Sequence, residues 1–261
     1  MSIAPPPRPI AARHREILAL AHHTGSVSVD DLASRLGVTP QTIRKDLNFL
    51  ARRSMLARVH GGAVVTSGVD NIAYAERRDV AAASKAAIGA AAAALIPNGA
   101  SLFINIGTTT EAVAEHLIGR RDLMVITNNL NVVDILADIP SIELIAAGGR
   151  VRANDRAIIG ALAMDFIRGF KVDYALIGAS AIDADGTLLD FDLDEVRVSQ
   201  TIIRNARQVI LVADASKIGR PAPIRIGDMN DVDFLVTDML DDAGLADICR
   251  EAGVHVVQTG C

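Results

Sequence analysis

A chain of 261 residues is too long for one small module and suits a small unit joined to a larger one. Half of its residues are hydrophobic but only 3% are aromatic and none is Trp, so the core is aliphatic, and the base stacking of single-strand and RNA binders is argued against. The net charge of -5 is unevenly spread: residues 1–66 hold nine Lys and Arg against four acids, a net +5, and the rest hold 17 against 27, a net -10. Attraction for phosphate is thereby confined to one end.

Residues 1–10 include four prolines and read as a disordered lead-in without the apolar core of a signal peptide. No apolar run reaches the roughly 18 residues of a membrane span, and Cys249 and Cys261 lack any CxxC or zinc-finger spacing. A cytoplasmic protein with no membrane partner and no metal is expected.

The first helix is expected over Ala11 to His23. Ser28 with Asp31 three residues on forms a carboxylate variant of the capping box, so a second helix starts there and runs to Leu36, where Gly37 ends it. Thr39 then caps a third helix whose first position is Pro40. A turn of about three residues between two helices is helix-turn-helix geometry. Ile43, Leu47 and Leu50 recur at helical spacing and face a core made with Ile17, Leu20, Leu32 and Leu36. Gln41, Thr42, Arg44, Lys45 and Asn48 fall on the other face and carry the amide, hydroxyl and cationic groups that meet base edges and phosphates. Asp46 does not fit phosphate contact and reads as an internal partner for an arginine. Leu56 to Val59 and Ala63 to Val65 read as two short strands joined through His60-Gly61-Gly62, a wing whose tip can lie on DNA backbone. On spacing alone the two helices also fit a hairpin that packs another domain.

The run VSVDDLASRLGVTPQTIRKDLNFLARRSMLARVHGGAVV resembles the winged helix-turn-helix of the DeoR family of bacterial transcription regulators, nearly position for position. The expected DNA-binding domain is 11–66, with Ser28, Thr39, Gln41, Thr42, Arg44, Lys45, Asn48, Arg58 and His60 as contacts to a double-stranded operator. A linker is expected over 67–83, with Arg77 and Arg78 connecting the units, and an α/β domain over 84–261.

In the second unit an Ala-rich helix at Lys85 to Ile96 is stopped by Pro97-Asn98-Gly99. Strands are expected at Ser101 to Asn105, Leu123 to Thr127, Ile142 to Ala146, Tyr174 to Gly178, Gln208 to Ala213 and Phe234 to Thr237. Helices are expected at Thr110 to Ile118, Asn131 to Ala137, Ala157 to Gly169, Asp194 to Ala206 and Ala243 to Ala252. Such alternation predicts a mainly parallel sheet covered on both faces.

Ligands of such sheets sit beyond the carboxyl ends of the strands. Asn105-Ile106-Gly107-Thr108-Thr109-Thr110 follows the first strand and opens a helix, so its backbone amides and hydroxyls suit an anion; an ordinary helix cap with spare threonines fits the spacing equally. Asn128 and Asn129, Gly148 and Gly149, and Gly178, Ala179 and Ser180 follow the next three strands. Asp183, Asp185, Asp190, Asp192, Asp194 and Glu195 lack EF-hand spacing and read as a solvated loop with one or two carboxylates for a polyol. Lys217 either completes an anion site or is an exposed loop lysine.

The segments LFINIGTTTEAVAEHL, VITNNLNVVDIL, IIGALAMDFI and DADGTLLDFDLDEVRVSQTIIRNARQVILVADASKIGR are similar to the DeoR sensor domain. The resemblance implies a sugar-phosphate-isomerase-like fold and an effector, glycerol 3-phosphate or another phosphorylated sugar or polyol, that weakens DNA binding. The implied effector site is Asn105, Gly107, Thr108, Thr109 and Thr110, with Asn128, Gly148, Gly149, Asp183 and Lys217. Two departures stand out: Asn105 replaces a common Asp, and Gln200 replaces a common basic residue.

An isomerase-like enzyme with an accessory DNA-binding head is the alternative. It needs a carboxylate base and an acid or lysine to polarise a carbonyl, and Gly186 to Leu189 lacks the lysine that the isomerase pattern carries. A DNA-bending protein needs no effector-shaped acidic body. The expected function is therefore a ligand-responsive repressor without catalytic residues or cofactor, acting as a homo-oligomer, dimer or tetramer, because one head offers too few contacts for specificity.

Overall fold

The computed structural model describes residues 12–24, 26–52, 57–59, 62–64, 77 and 81–260. The chain divides into two compact units, Met1–Asn71 and Ile72–Cys261. Residues 1–10, His60 and most of the expected linker lie outside the described set.

The first unit comprises α1 (Ala12–Thr24), β1 (Ser26–Ser28), α2 (Val29–Leu36), α3 (Pro40–Arg52), β2 (Ala57–Val59) and β3 (Gly62–Val64). Ser28 caps α2 by accepting the Asp31 amide at 3.0 Å, and its hydroxyl donates to the Asp31 carboxylate at 2.7 Å. Thr39 Oγ1 accepts the Thr42 amide and so caps α3. Ile17, Leu32, Ile43, Leu47 and Leu50 are buried together, which leaves the polar side of α3 outside. The two wing strands pair antiparallel, and β3 also pairs with β1, a strand the sequence pattern did not reveal.

In the second unit, seven parallel strands run in the order β15 (His255–Gln258), β14 (Phe234–Thr237), β12 (Ala206–Val212), β9 (Val172–Ile177), β4 (Ser101–Ile104), β5 (Leu123–Thr127) and β6 (Ile142–Ala146). Alternate residues serve opposite faces: Leu102 and Ile104 join one core cluster and Phe103 the other. Helices α4 (Ala82–Ala94), α5 (Thr108–Leu117) and α6 (Leu130–Leu136) cover one face, and α7 (Ala161–Ile167), α8 (Leu193–Arg204) and α9 (Ala243–Glu251) the other. The Ala-rich composition of α4 has a packing reason. A Cβ on Gly89 would stand 2.6 Å from the Ala112 carbonyl oxygen, so only small residues allow α4 and α5 to approach this closely.

The order of the sheet reverses between β4 and β9. From β4 the chain proceeds outward through β5 and β6, and from β9 it proceeds the other way through β12, β14 and β15. The crevice at such a switch point, beyond the carboxyl ends of the two strands, is where a ligand fits.

Two expectations are corrected. Residues 157–169 do not form one helix: Ala157–Ile159 is a strand (β8) that pairs with β7 (Arg150–Arg152), and Gly160 at φ 93° separates it from α7. The acidic stretch is not simply a solvated loop. Thr187–Asp190 is a strand (β11) between β10 (Ala181–Ile182) and β13 (Ile224–Asp228), and Asp192 caps α8 by accepting the Glu195 amide.

Candidate DNA-reading face and effector site

In the first unit, Gln41, Arg44, Lys45 and Asn48 are exposed on one side of α3, with Thr39 exposed at its start and Thr42 half-buried. Ser28 is half-buried at the start of α2. Arg58 lies on β2, and its side chain and His60 fall outside the described set. Asp46 points inward: it is 7% exposed, accepts Arg13 Nε at 2.7 Å and Arg13 Nη2 at 3.2 Å, and lies 2.9 Å from His14 Nε2. Burial pushes the Asp46 carboxyl up, but the hydrogen bonds from Arg13 and His14 outweigh it and hold the group below its ordinary value. His14 in turn stacks on Phe49 with ring centroids 4.6 Å apart.

In the second unit, Asn105 follows β4 at the switch point and is 1% exposed. Its amide N–H donates to the Leu176 carbonyl of β9, and its Nδ2 donates to Ser199 Oγ on α8 at 2.8 Å. Its Oδ1 has no partner. Asn128, beyond β5, repeats the pattern: Nδ2 donates to the Ile158 carbonyl at 3.2 Å, and the buried Oδ1 has no partner. A buried acceptor left unmade costs about 1–3 kcal/mol, so two together suit the hydroxyl donors of a ligand.

Between them Gly107 starts α5 at φ 147°, a backbone conformation that glycine alone adopts without strain. The Thr110 hydroxyl donates within the loop, 2.8 Å from both the Asn105 and the Gly107 carbonyl oxygens, so it braces the turn. Thr108 is half-buried and Thr109 is 7% exposed. The first amides of a helix have no intrahelical acceptor and carry the positive end of its dipole, which favours an anion there.

The β7–β8 hairpin lies over this loop, with Ala157 and Ile159 packed on Ile106. Arg152 clamps the hairpin to the start of α8: it donates to Asp155 at 2.9 and 2.5 Å and to Glu195 at 2.5 Å, and pairs with Asp192 at 2.7 Å. Burial and the neighbouring negative charge of Asp190 push the Glu195 carboxyl up to about 7, against the opposing pull of Arg152. Asp190 is itself pushed up by burial, although Phe191's amide, Ser180's hydroxyl and the cations Arg77 and Lys217 oppose the change.

Lys217 stands half-buried in the turn after β12. Its amine is lowered to about 8 by burial and by Arg220, Arg77 and Lys85, against the attraction of Asp214. Cations crowded closely enough to depress one another are what an anion stabilises. Arg220 lies over the Phe191 ring, 5.4 Å from its centroid.

The sequence-derived site residues thus fall into groups. Asn105, Gly107 to Thr110 and Asn128 come together under the hairpin, and Lys217 stands among Arg77, Lys85 and Arg220. A chain of contacts joins the two: Asn105 to Ser199, Ser199 to the Glu195 carbonyl, Glu195 to Arg152, Arg152 to Asp155, and Asp155 to Arg77. Gly148 and Gly149 are exposed, with a Cβ on Gly149 reaching Ile158 at 3.0 Å. Asp183 is exposed in the β10–β11 turn, where its carboxylate accepts the amide of the next residue, Ala184. Gln200 donates to the Arg225 and Ile226 carbonyls and so fastens α8 to β13.

The sequence alone does not assign Arg77, Lys85, Arg152 or Ser199 to the effector site, and Arg77 reads there only as a connector of the two units. Lys85 left one signal, since it is the lone charge in a helix otherwise made of Ala, Ser, Ile and Gly. Among the described residues no group of three or more His, Cys, Asp or Glu can hold a metal, and no helix is long and apolar enough to cross a membrane. An open depression of about 540 Å³ lies at the amino ends of β4, β5, β6 and β9; Asp122, Glu143 and Asp173 line it without any Lys or Arg, which makes it a poor receptor for phosphate.

The DeoR-like helix-turn-helix domain matches residues 13–69, and the DeoR C-terminal sensor domain matches residues 80–239. The glycerol-3-phosphate regulon repressor of Haemophilus influenzae is 44% identical over 245 residues, which cover 94% of this chain and 95% of that protein. The repressor of the same name from Escherichia coli is 44% identical over 226 residues, covering 87% and 90%. Among solved structures, ribose 5-phosphate isomerase A of Methanocaldococcus jannaschii aligns with 51% of this chain and 53% of its own at a TM-score of 0.39 and 16% identity.

Proposed function

The chain belongs to the DeoR family of transcriptional regulators, and on that premise we propose that it represses genes of glycerol 3-phosphate metabolism and leaves its operators when a phosphorylated polyol binds the second unit. Its relatives are repressors, so its work is regulation and not catalysis. It acts in the cytoplasm as a homo-oligomer. Each operator half-site takes one head, with Gln41, Thr42, Arg44, Lys45 and Asn48 facing the major groove and the wing on the backbone.

The observation that carries the effector reading is the pair of buried, unpartnered acceptors, Asn105 Oδ1 and Asn128 Oδ1, beside the start of α5. In this reading the phosphate meets the amides and hydroxyls of Gly107 to Thr109, with Lys217 supplying charge, and the polyol hydroxyls donate to the two asparagines. Thr110 acts by shaping the loop, and Asp183, Gly148 and Gly149, all exposed, are assigned no contact with the effector. The effector favours one arrangement of the oligomer only to the extent that it binds that arrangement more tightly, and the favoured one holds the heads out of register with the half-sites.

Calorimetric titration with glycerol 3-phosphate, glycerol and a panel of sugar phosphates tests the reading, followed by Thr108→Ala combined with Thr109→Ala. The double variant is expected to hold operator normally and to stay bound when glycerol 3-phosphate is added. Release at the wild-type effector concentration removes the phosphate loop from the account. Binding of a different sugar phosphate moves the regulated pathway and keeps the site.

A further inference from the structure

Arg77 stands six positions after Asn71, the last residue of the first unit, and its side chain turns into the second unit, where it is 16% exposed. Among the described residues its ion pair is long: Nη2 lies 4.0 Å from Asp155, a carboxylate that Arg152 already holds at 2.9 and 2.5 Å. Its buried Nε has no acceptor among the described residues. The backbone, by contrast, is fastened, because Lys85 Nζ donates to the Arg77 carbonyl oxygen from α4. A buried guanidinium with a weak partner and an idle donor is matched to an oxyanion, which takes two of its N–H groups in parallel.

Its neighbours fit the same ligand. Arg77 acts on Lys217 and Arg220 as one cation on others and on Asp190 and Glu195 as a counter-charge, so these four groups lie within its electrostatic reach.

We propose that Arg77 is a ligand for the effector's phosphate and the residue that carries occupancy of the site to the chain leading into the DNA-reading unit. This rests on the reading of the second unit as a phosphate-binding sensor. When the anion arrives, the guanidinium leaves its long contact with Asp155 for the phosphate. Because Lys85 pins the carbonyl of the same residue, the movement is passed to the amide side of residue 77 and not toward α4. The residues just before it in sequence are those that join the two units.

Arg77→Gln and Arg77→Lys in the full-length protein test this against a structural role. Calorimetry with glycerol 3-phosphate and with inorganic phosphate reads affinity, and anisotropy of a labelled operator reads release. Hydrogen exchange of peptides spanning residues 66–82 reads the connecting chain. Arg77→Gln is expected to keep operator affinity and melting temperature, to weaken glycerol 3-phosphate binding about 10-fold or more, and to show no effector-dependent exchange in those peptides. Arg77→Lys should recover part of the affinity through its charge. Unchanged affinity with unchanged release overturns the proposal, as does a fall in melting temperature that accounts for the lost binding. If the wild type binds neither probe, the sensor reading fails and the proposal with it; wild-type binding with an unaltered variant sinks Arg77 alone.

Discussion

Replacing Asp46 by Asn separates its internal role from any part in DNA contact. The substitution removes the charge that accepts two hydrogen bonds from Arg13 and faces His14 Nε2 at 2.9 Å. The Arg13 side chain is 38% exposed, so water replaces much of that loss, and its share is about 0.5–1 kcal/mol. The His14 side chain is 11% exposed and recovers little, so its share is about 1–2 kcal/mol. The first unit should therefore lose about 1.5–3 kcal/mol, which for a domain of its size lowers the melting temperature by about 6–24 °C. The pH dependence has a definite sign. The folded Asp46 carboxyl lies below its ordinary 3.8, so its contribution is present above that value and disappears as pH falls through the folded one. Scanning calorimetry and urea melts followed by circular dichroism measure the loss, and operator titrations at several salt concentrations measure DNA contact. An unchanged melt together with tighter operator binding would mean that the carboxylate repels DNA phosphate from the surface, and the internal assignment would be wrong.

Arg44→Ala removes an exposed cation from the reading face of α3. Loss of a bidentate base contact weakens binding by about 1–3 kcal/mol, so operator affinity should fall about 5-fold to 150-fold with melting and glycerol 3-phosphate binding intact; an equal loss of effector binding would contradict the surface assignment. Glu195→Gln probes the carboxyl that titrates near 7 in the folded chain. Between its ordinary 4.5 and about 7 the folded chain keeps a proton that the unfolded chain has released, so this contribution is present below 4.5 and is lost as pH rises through about 7. Urea midpoints of the second unit at about pH 5 and about pH 8 should differ less in Glu195→Gln than in the wild type, and an identical difference would refute the raised value.

How much of this was legible in the sequence depends on the range of the interaction that decides each feature. The helix-turn-helix was legible because its signals are local: Ser28 and Asp31, Thr39 and Thr42, and the spacing of Ile43, Leu47 and Leu50 all act within two turns. Five of the six expected strands of the main sheet were legible because strands buried on both faces must be continuous apolar runs, and β6, at the edge and exposed at Glu143, was legible from its remaining apolar residues. The short strands were not. Ala157 to Ile159 reads as the start of the helix that follows, and only pairing with Arg150 to Arg152 and the positive φ of Gly160 make it a separate strand. The site divides in the same way. Asn105, Thr109 and Asn128 follow strands in sequence, whereas Ser199 lies 94 positions from Asn105 and is brought to it by α8 packing on the sheet. Arg77 and Lys85 carry no local motif, and tertiary structure alone places them among the charges after β11 and β12.

The distribution of charge raises a physical difficulty for an anion sensor, because the body beyond residue 66 carries a net -10 and should repel a phosphate dianion. Range resolves it. Exposed charges more than a Debye length away, about 8 Å at physiological ionic strength, are largely screened, while groups that are partly withdrawn from water interact several-fold more strongly at short distance. Arg77, Lys85, Lys217 and Arg220 act on one another at the carboxyl end of the sheet, whereas surface acids such as Asp134, Asp165 and Asp247 are each paired with a neighbouring arginine. A small anion that reaches the site is governed by the local cations. A DNA duplex cannot enter and meets the screened average, which is negative. On the proposed reading, the same acidic body therefore admits a phosphorylated effector and turns away the polyanion that the basic head holds.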